Sequence, residues 1–406
     1  MNEEKLKAWV ADPKRADTLP FGFYEPAYRK GIVGAALVVR GVVYFRDGHT
    51  PAVREALAKC FEQYNATITE YVQALARALN EPLPKAGPLR WLYQEDEEPT
   101  PFDAAPSFAS LASSLPADDA LVVQVTSADH KLATGFYEFA AFTVADWDVN
   151  PEGGQDALDF TVPRAFLDHR PGVFQALFAA FCEALPTVHG HAGLAVNLPP
   201  MEREANEATE YSYARRYGPG IDVGDPMGVS TVDLVGKIKT VDWLVALGGD
   251  LVRTVGGSDS LTLPPDWFVR QPLGANGLII QAGAAPQAGI AAGPGKPPLP
   301  PPAYVLLNAA LRKIIATKMD TLQGGTLDST APLLDTTVAT EAWLKRFDLP
   351  EDEVMAQWRE LHASPTISPT ARTTVGGNLD RLRKALGLPD AVNPQNDFGY
   401  PPPPSN

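Results

Sequence analysis

The chain has 406 residues, 45% of them hydrophobic and 20% charged, a balance that argues against general disorder and is enough for a sizeable buried core. The formal net charge is -15, which repels nucleic-acid phosphates and anionic lipid and attracts basic partners. With two cysteines, Cys60 and Cys182, each inside an apolar helical pattern, there is no disulfide framework and no CxxC metal pair.

Residues 1–29 read as a short amphipathic helix and an arm carrying Phe21, Phe23 and Tyr24. The start, Met-Asn-Glu-Glu, lacks the basic and apolar regions of a signal peptide. No apolar run approaches the roughly 20 residues that span a bilayer. A cytoplasmic location is expected. GIVGAALVVRGVVYF, rich in Val, predicts one or two strands. The next segment predicts a long helix, with Thr50 as N-cap, Pro51 at its first position, and Leu57, Cys60, Phe61, Tyr64, Ile68 and Tyr71 at helical spacing. Residues 80–120 are rich in turn-forming residues and carry Glu95, Asp96, Glu97 and Glu98 in a row.

ALVVQVTSA and FYEFAAFTVADW predict paired strands joined across 129–135. DALDFTVPRAFL predicts a strand leading into a helix with Phe174, Leu177, Phe178, Phe181 and Cys182 on one face, and HAGLAVNL the strand after it. In the second half, EATEYSYARRYG predicts a helix, and the stretch from Thr231 to Gly257 another, which places Trp243 on a helix in the core. GLIIQAG is a short apolar strand. Residues 284–302, dominated by Gly, Pro and Ala, suit an irregular loop. YVLLNAALRKIIATKM and TEAWLKRFDLP predict further helices, the latter with a Thr N-cap. The fold class is therefore α+β: a mixed β-sheet packed with helices, one large domain over 30–348, and a helical and Pro-rich extension over 349–406.

Motifs for chemistry are scarce. No Walker loop, GxGxxG after a strand, GxSxG elbow or HExxH occurs. His189 and His191 would share a face of an extended chain, but a metal needs a third ligand, so the pair reads as a tight turn entering a strand. Asp47 and His49 read as turn and capping residues ahead of the long helix. Asp222, after a Gly-Pro-Gly turn, reads as a cap or ion-pair partner and not as a general base. No catalytic residue, cofactor or metal is expected. The acids at 95–98 suit either a solvated loop or an electrostatic bait for a basic surface.

An ordered set of pieces carries more information than any one of them. RGVVYFRDGHTPAVREAL, LPTVHGHAGLAV, RYGPGIDV, GKIKTVDWLVALGGDLVRTVGG, GLIIQAGAAPQAG and TEAWLKRF follow one another across roughly residues 30–348. Together they resemble the type VI secretion immunity proteins paired with VRR-Nuc nuclease toxins. This chain has His191 where that family usually carries an aromatic, and residues 349–406 extend past its usual end. The resemblance implies a non-enzymatic protein that binds and neutralises a cognate secreted toxin, a nuclease, in the cytoplasm, without itself binding nucleic acid or membrane. It implies scaffold roles for Trp243 and, as polar fasteners, for Arg216 and Asp222. Two other classes compete with it. One is an adaptor of the secretion machinery using the Gly/Pro-rich loop and tail; the other is a hydrolase using Asp47, His49 or Asp222.

Overall fold

The Val-rich run after residue 28 forms a single strand of 17 residues, and the rest of the sheet is organised around it. The structure, a computed structural model, describes residues 9–363 apart from 10–11, 13–14, 16, 25–27, 85, 149–154, 231–233, 235, 293–294 and 327–330. The first half runs Thr18–Phe21 (β1), Arg29–Phe45 (β2), Pro51–Leu79 (α1), Trp91–Gln94 (β3), Thr100–Pro101 (β4), Phe108–Ser114 (α2), Leu121–Thr126 (β5), Glu138–Thr143 (β6), Asp156–Pro163 (β7), Ala165–His169 (α3), Val173–Ala184 (α4) and Thr187–Asn197 (β8). The second half runs Glu207–Tyr217 (α5), Pro226–Ser230 (α6), Leu244–Leu247 (β9), Gly249–Thr254 (α7), Phe268–Leu273 (β10), Gly277–Ala282 (β11), Pro302–Ala310 (α8), Thr337–Leu344 (α9) and Glu351–Ala363 (α10).

All eleven strands join one sheet, in the order β10-β11-β9-β8-β2-β7-β6-β5-β3-β4, with β1 on the first half of β2. The length of β2 makes this possible: Arg29 to Ala36 pair with β1, while the remainder lies between β7 and β8. The α+β class holds. The sheet is more uniform than a mixed one, since every pairing of named strands is antiparallel; among the described residues, parallel contacts occur only as isolated bridges, Ala195 with Asp222 and Ile238 with Ile315.

One face of the sheet is apolar. Thr50 accepts a hydrogen bond from the Val53 N–H and starts α1, and Asn80, in the left-handed region at φ 55, ends it. Between these caps α1 buries Leu57, Phe61, Tyr64, Ile68 and Tyr71. Phe61 meets Phe139 of β6 at 5.3 Å between ring centroids, and Phe160 of β7 meets Phe181 of α4 at 4.9 Å. Gly41 leaves room for these rings, because a Cβ there would lie 2.6 Å from Phe160. The apolar strand β11 is buried as expected, with Ile279 5% and Ile280 0% exposed.

Several expectations change. The stretch 231–257 is not one helix: Leu244–Leu247 is a strand between β8 and β11, and among its described residues only Gly249–Thr254 is α-helical. A four-residue apolar run satisfies a buried strand as well as a helix, and two waiting neighbours decide between them. Trp243 precedes that strand and is in the core all the same, its Nε1 donating to Gly283 O at 3.0 Å. The helix expected over 304–319 stops at Ala310, because residues 314–316 pair with Ile238 through the bonds Ile238 N–H to Ile314 O and Ala316 N–H to Ile238 O. The cap of α9 is Thr336; Thr340 sits inside the helix and donates to Leu334 O. The N-terminal arm contributes β1 to the sheet, residues 80–120 contain β3, β4 and α2, and the Pro-rich tail lies outside the described residues.

Candidate functional site

The opposite face of the same strands is polar and buried. Alternation along β2 puts Arg40, Val42 and Tyr44 on it, and their partners on β8 are Gly193, His191 and His189. His189 and His191 therefore lie within a strand and do not form the expected turn; β2 is long enough to extend the ladder across both. Their rings lie beside that of Tyr44, at 4.5 and 6.2 Å. Burial, and then the neighbouring His191, push His189 down to about 3, and burial also lowers His191. Both imidazoles are neutral at neutral pH.

Asp222 joins this layer from the segment after α5. Its Oδ2 lies 3.2 Å from His191 Nε2, and its Oδ1 lies 2.7 Å from the Lys239 ammonium. Burial would raise the Asp222 carboxyl, but Lys239 and then His191 outweigh it and hold the group well below the usual carboxylate range. Lys239 also donates to Val223 O at 2.6 Å. Next to this pair, Asp242 accepts the Trp243 N–H at 2.7 Å, and burial followed by the Asp222 charge pushes it up to about 8. Gly193 is required here, since a Cβ would fall 1.8 Å from Asp242 Oδ1.

Asp222 is buried and ion-paired with Lys239, whereas Arg216, the other residue expected to fasten the scaffold, lies on the surface. Arg216 is exposed near the end of α5, with its guanidinium 5.6 Å from the Tyr217 ring. The fastening arginine is Arg346, which donates to Pro219 O at 2.7 Å and to Thr240 Oγ1 at 2.9 Å. Asp47 and His49 occupy the turn before α1: Asp47 has φ 63, and its carbonyl accepts from Thr50 Oγ1 at 2.7 Å. Glu95, Asp96, Glu97 and Glu98 are all exposed, on the β3–β4 connection at one edge of the sheet, and Glu98 meets Lys131 at 2.9 Å.

Further along the polar face a cavity of about 50 Å³ opens between β2, β5, β6, β7 and the segments at 198–203 and 225–227. Arg40, Gln124, Glu138, Asp159, Arg203 and Asp225 supply its polar wall. Burial, then Asp159, push Glu138 up to about 8; burial, with Asp225 adding to it against the pull of Arg40, pushes Asp159 up to about 7. Arg40 donates to Val196 O at 2.7 Å and to Gly224 O at 3.5 Å, so two of its nitrogens serve the backbone. None of these six residues was singled out from the sequence. The available signal was a charge inside an apolar strand: Arg40 in VVRGVV, Glu138 in FYEFAAF and Asp159 in DALDFTV.

Among the described residues no group of three or more His, Cys, Asp and Glu could hold a metal ion, and no helix is long and apolar enough to cross a membrane.

Comparison with known proteins gives these features a setting. No curated protein sequence matches the chain. Among solved structures, the Pseudomonas aeruginosa T6SS protein PA0821 is similar, with a TM-score of 0.77 and 28% identity, over 91% of this chain and 98% of that one. Residues 56–347, which include β3 to β11 but not β2 with Arg40 and Tyr44, match the TsiV family, described as type VI immunity for VRR-NUC. With most of its length inside that match, the chain belongs to the TsiV family of type VI immunity proteins.

Proposed function

We propose that this chain is a non-enzymatic immunity protein that binds a VRR-Nuc toxin, a DNA-cleaving one, in the cytoplasm and holds it inactive. The observation that carries this reading is the family match over residues 56–347. Residues 30–348 are the immunity domain in this proposal. The electrostatics agree: a nuclease grips DNA through a positive surface, and a protein of net charge -15 can occupy such a surface in place of DNA.

The exposed acids Glu95, Asp96, Glu97 and Glu98 serve in this reading as a long-range attractor. Complementary charge raises association from about 10⁵–10⁶ to about 10⁸–10⁹ M⁻¹s⁻¹ at low salt. Speed matters to a protein that must reach a nuclease before it cuts.

The test is co-expression with the toxin encoded beside this chain, scored for growth, followed by titration of DNA cleavage in vitro. A binder restores growth and stops cleavage at a fixed stoichiometry. Protection by a small fraction of an equivalent would instead reveal an enzymatic antidote. No protection at all would remove the immunity reading.

A further inference from the structure

We propose that the cavity lined by Arg40, Glu138, Asp159 and Arg203 receives one basic side chain, an ammonium or guanidinium, from the protein this chain binds. The proposal rests on the toxin-binding reading and names one anchor within it.

The make-up of the wall is the first argument. Three carboxyl groups, Glu138, Asp159 and Asp225, face two guanidinium groups, Arg40 and Arg203, and burial keeps Glu138 and Asp159 holding protons near neutrality that a further cation would displace. Arg40 donates to the carbonyls of Val196 and Gly224, and Arg203 lies 3.6 Å from Glu210 of α5, with Arg40 Nε and Arg203 Nε and Nη2 left without hydrogen-bond partners. Register supplies the second argument. Glu138 is opposite Thr161 and Asp159 opposite Ala140, so the two acids are diagonal neighbours on one face of adjacent strands. Hydrogen bonding supplies the third. Glu138 is only 6% exposed, lines the cavity, and its Oε2 has no hydrogen-bond partner. A buried carboxyl oxygen without a hydrogen-bond partner is costly, and an incoming N–H group would satisfy its lone pair and stabilise the ionised form as the proton leaves.

The cavity also reaches the surface. Gln124, Pro200, Arg203, Asp225 and Met227 are each partly exposed, and Met201 beside them is 44% exposed. Pro199, Pro200, Pro226 and the flexible Met227 around the hole suit the aliphatic stem of a Lys or Arg whose head goes inside. Two guanidinium groups in the wall disfavour a free divalent ion. A nuclease carries such basic side chains where it meets phosphates. A buried, charge-matched pocket of this kind is where interface energy concentrates.

The experiment compares the full chain with Glu138→Gln/Asp159→Asn and with Gln124→Arg, by calorimetry and stopped-flow against the adjacent VRR-Nuc toxin. The amide pair keeps the shape of both acids. Gln124→Arg reaches the cavity from β5 and fills it with a tethered guanidinium. Each folded variant should bind at least about tenfold more weakly, chiefly through faster dissociation. A second readout is the proton. Glu138 and Asp159 hold protons near neutrality in the surroundings set by Arg40, Arg203, Asp225 and Glu210; a bound cation lowers both carboxyls, so binding releases protons, seen as enthalpies that vary with the buffer. The amide pair should abolish that release. Either variant binding as tightly as the parent, with proton release intact, overturns the proposal while leaving the immunity reading standing. A parent chain that binds no toxin overturns both. Proton release on adding magnesium chloride alone assigns the cavity to a free ion and overturns it too.

Discussion

Val39, Gly41, Val43 and Phe45 of β2 point towards the aromatic rings of α1 and α4, whereas Arg40 and Tyr44 of the same strand point towards Asp222, Asp225 and the histidines of β8. Both faces are buried, yet they use different physics. The first is stabilised by non-directional burial of hydrocarbon, worth about 25 cal/mol per Å² of apolar area. The second takes charges out of water and must match each with a partner, at a desolvation cost of several kcal/mol per ion. The first can absorb a change of side chain that keeps its volume. The second cannot lose one member of a pair. Its carboxyl groups where the cavity opens are the ones that a basic side chain would ionise in the proposed complex.

The largest expected effects put the two faces side by side. Phe160→Ala should cost about 3–5 kcal/mol in urea unfolding, from lost burial and the void left behind. Asp222→Ala should cost a similar ~3–5 kcal/mol, because Lys239 would be left buried without its counter-charge. The double change Asp222→Leu/Lys239→Met separates the mechanisms: removing both charges should recover most of that loss. If the double variant is as unstable as Asp222→Ala, the pair is not the feature that matters on this face.

A smaller effect is expected at Gly193→Ala, about 1–3 kcal/mol, since the new methyl group collides with the Asp242 carboxylate. An unchanged melting temperature would mean that the polar layer yields more easily than its packing implies.

The faces should also differ in their response to pH. The Asp242 carboxyl ionises near 3.9 in an unfolded chain and keeps its proton up to about 8 in the folded protein. Between those values the folded state binds more protons, so this group's contribution to stability falls as pH rises. Asp242→Asn should flatten that decline over roughly pH 4 to 8, and Phe160→Ala should leave its slope unchanged. Equal slopes in the parent and in Asp242→Asn would show that Asp242 ionises normally.

Changing Glu95, Asp96, Glu97 and Glu98 to Gln, Asn, Gln and Gln should have the least effect on stability, within about 0.5 kcal/mol, because all four are exposed. What should change is toxin association, which should slow and lose part of its salt dependence. Association insensitive to both would reduce these acids to a solvated turn.

The apolar face was legible from the sequence. Leu57, Phe61, Tyr64, Ile68 and Tyr71 repeat at helical spacing behind Thr50 and Pro51, and Phe174, Phe178 and Phe181 repeat in α4, so period and caps give element and buried face together. Ile279 and Ile280 announced a buried strand by their uninterrupted apolar run. Little of the polar face was legible. Asp222 was read as a cap or ion-pair residue with no partner named, and His191 was read as part of a turn. Arg40, Glu138, Asp159, Lys239 and Asp242 are spread over some 200 residues of chain and meet only through the ladder β6-β7-β2-β8 and the segment that covers it.

The sequence by itself determined the helices α1 and α4, the strands rich in Val and Ile, the acidic balance and the order of motifs that marks the family. Each of these depends on spacing over a few residues or on totals over the whole chain. Tertiary structure decided that LVAL is a strand, that β2 runs unbroken for 17 residues, that His189 and His191 lie in a ladder, and that five scattered charges share one buried layer. Local propensity is worth less than about 1 kcal/mol per residue, so a neighbouring strand that supplies two hydrogen bonds and buries a side chain overrides it. A charged residue in a strand carries no local sign of which distant charge it will meet; that pairing exists only once the register of the sheet is set.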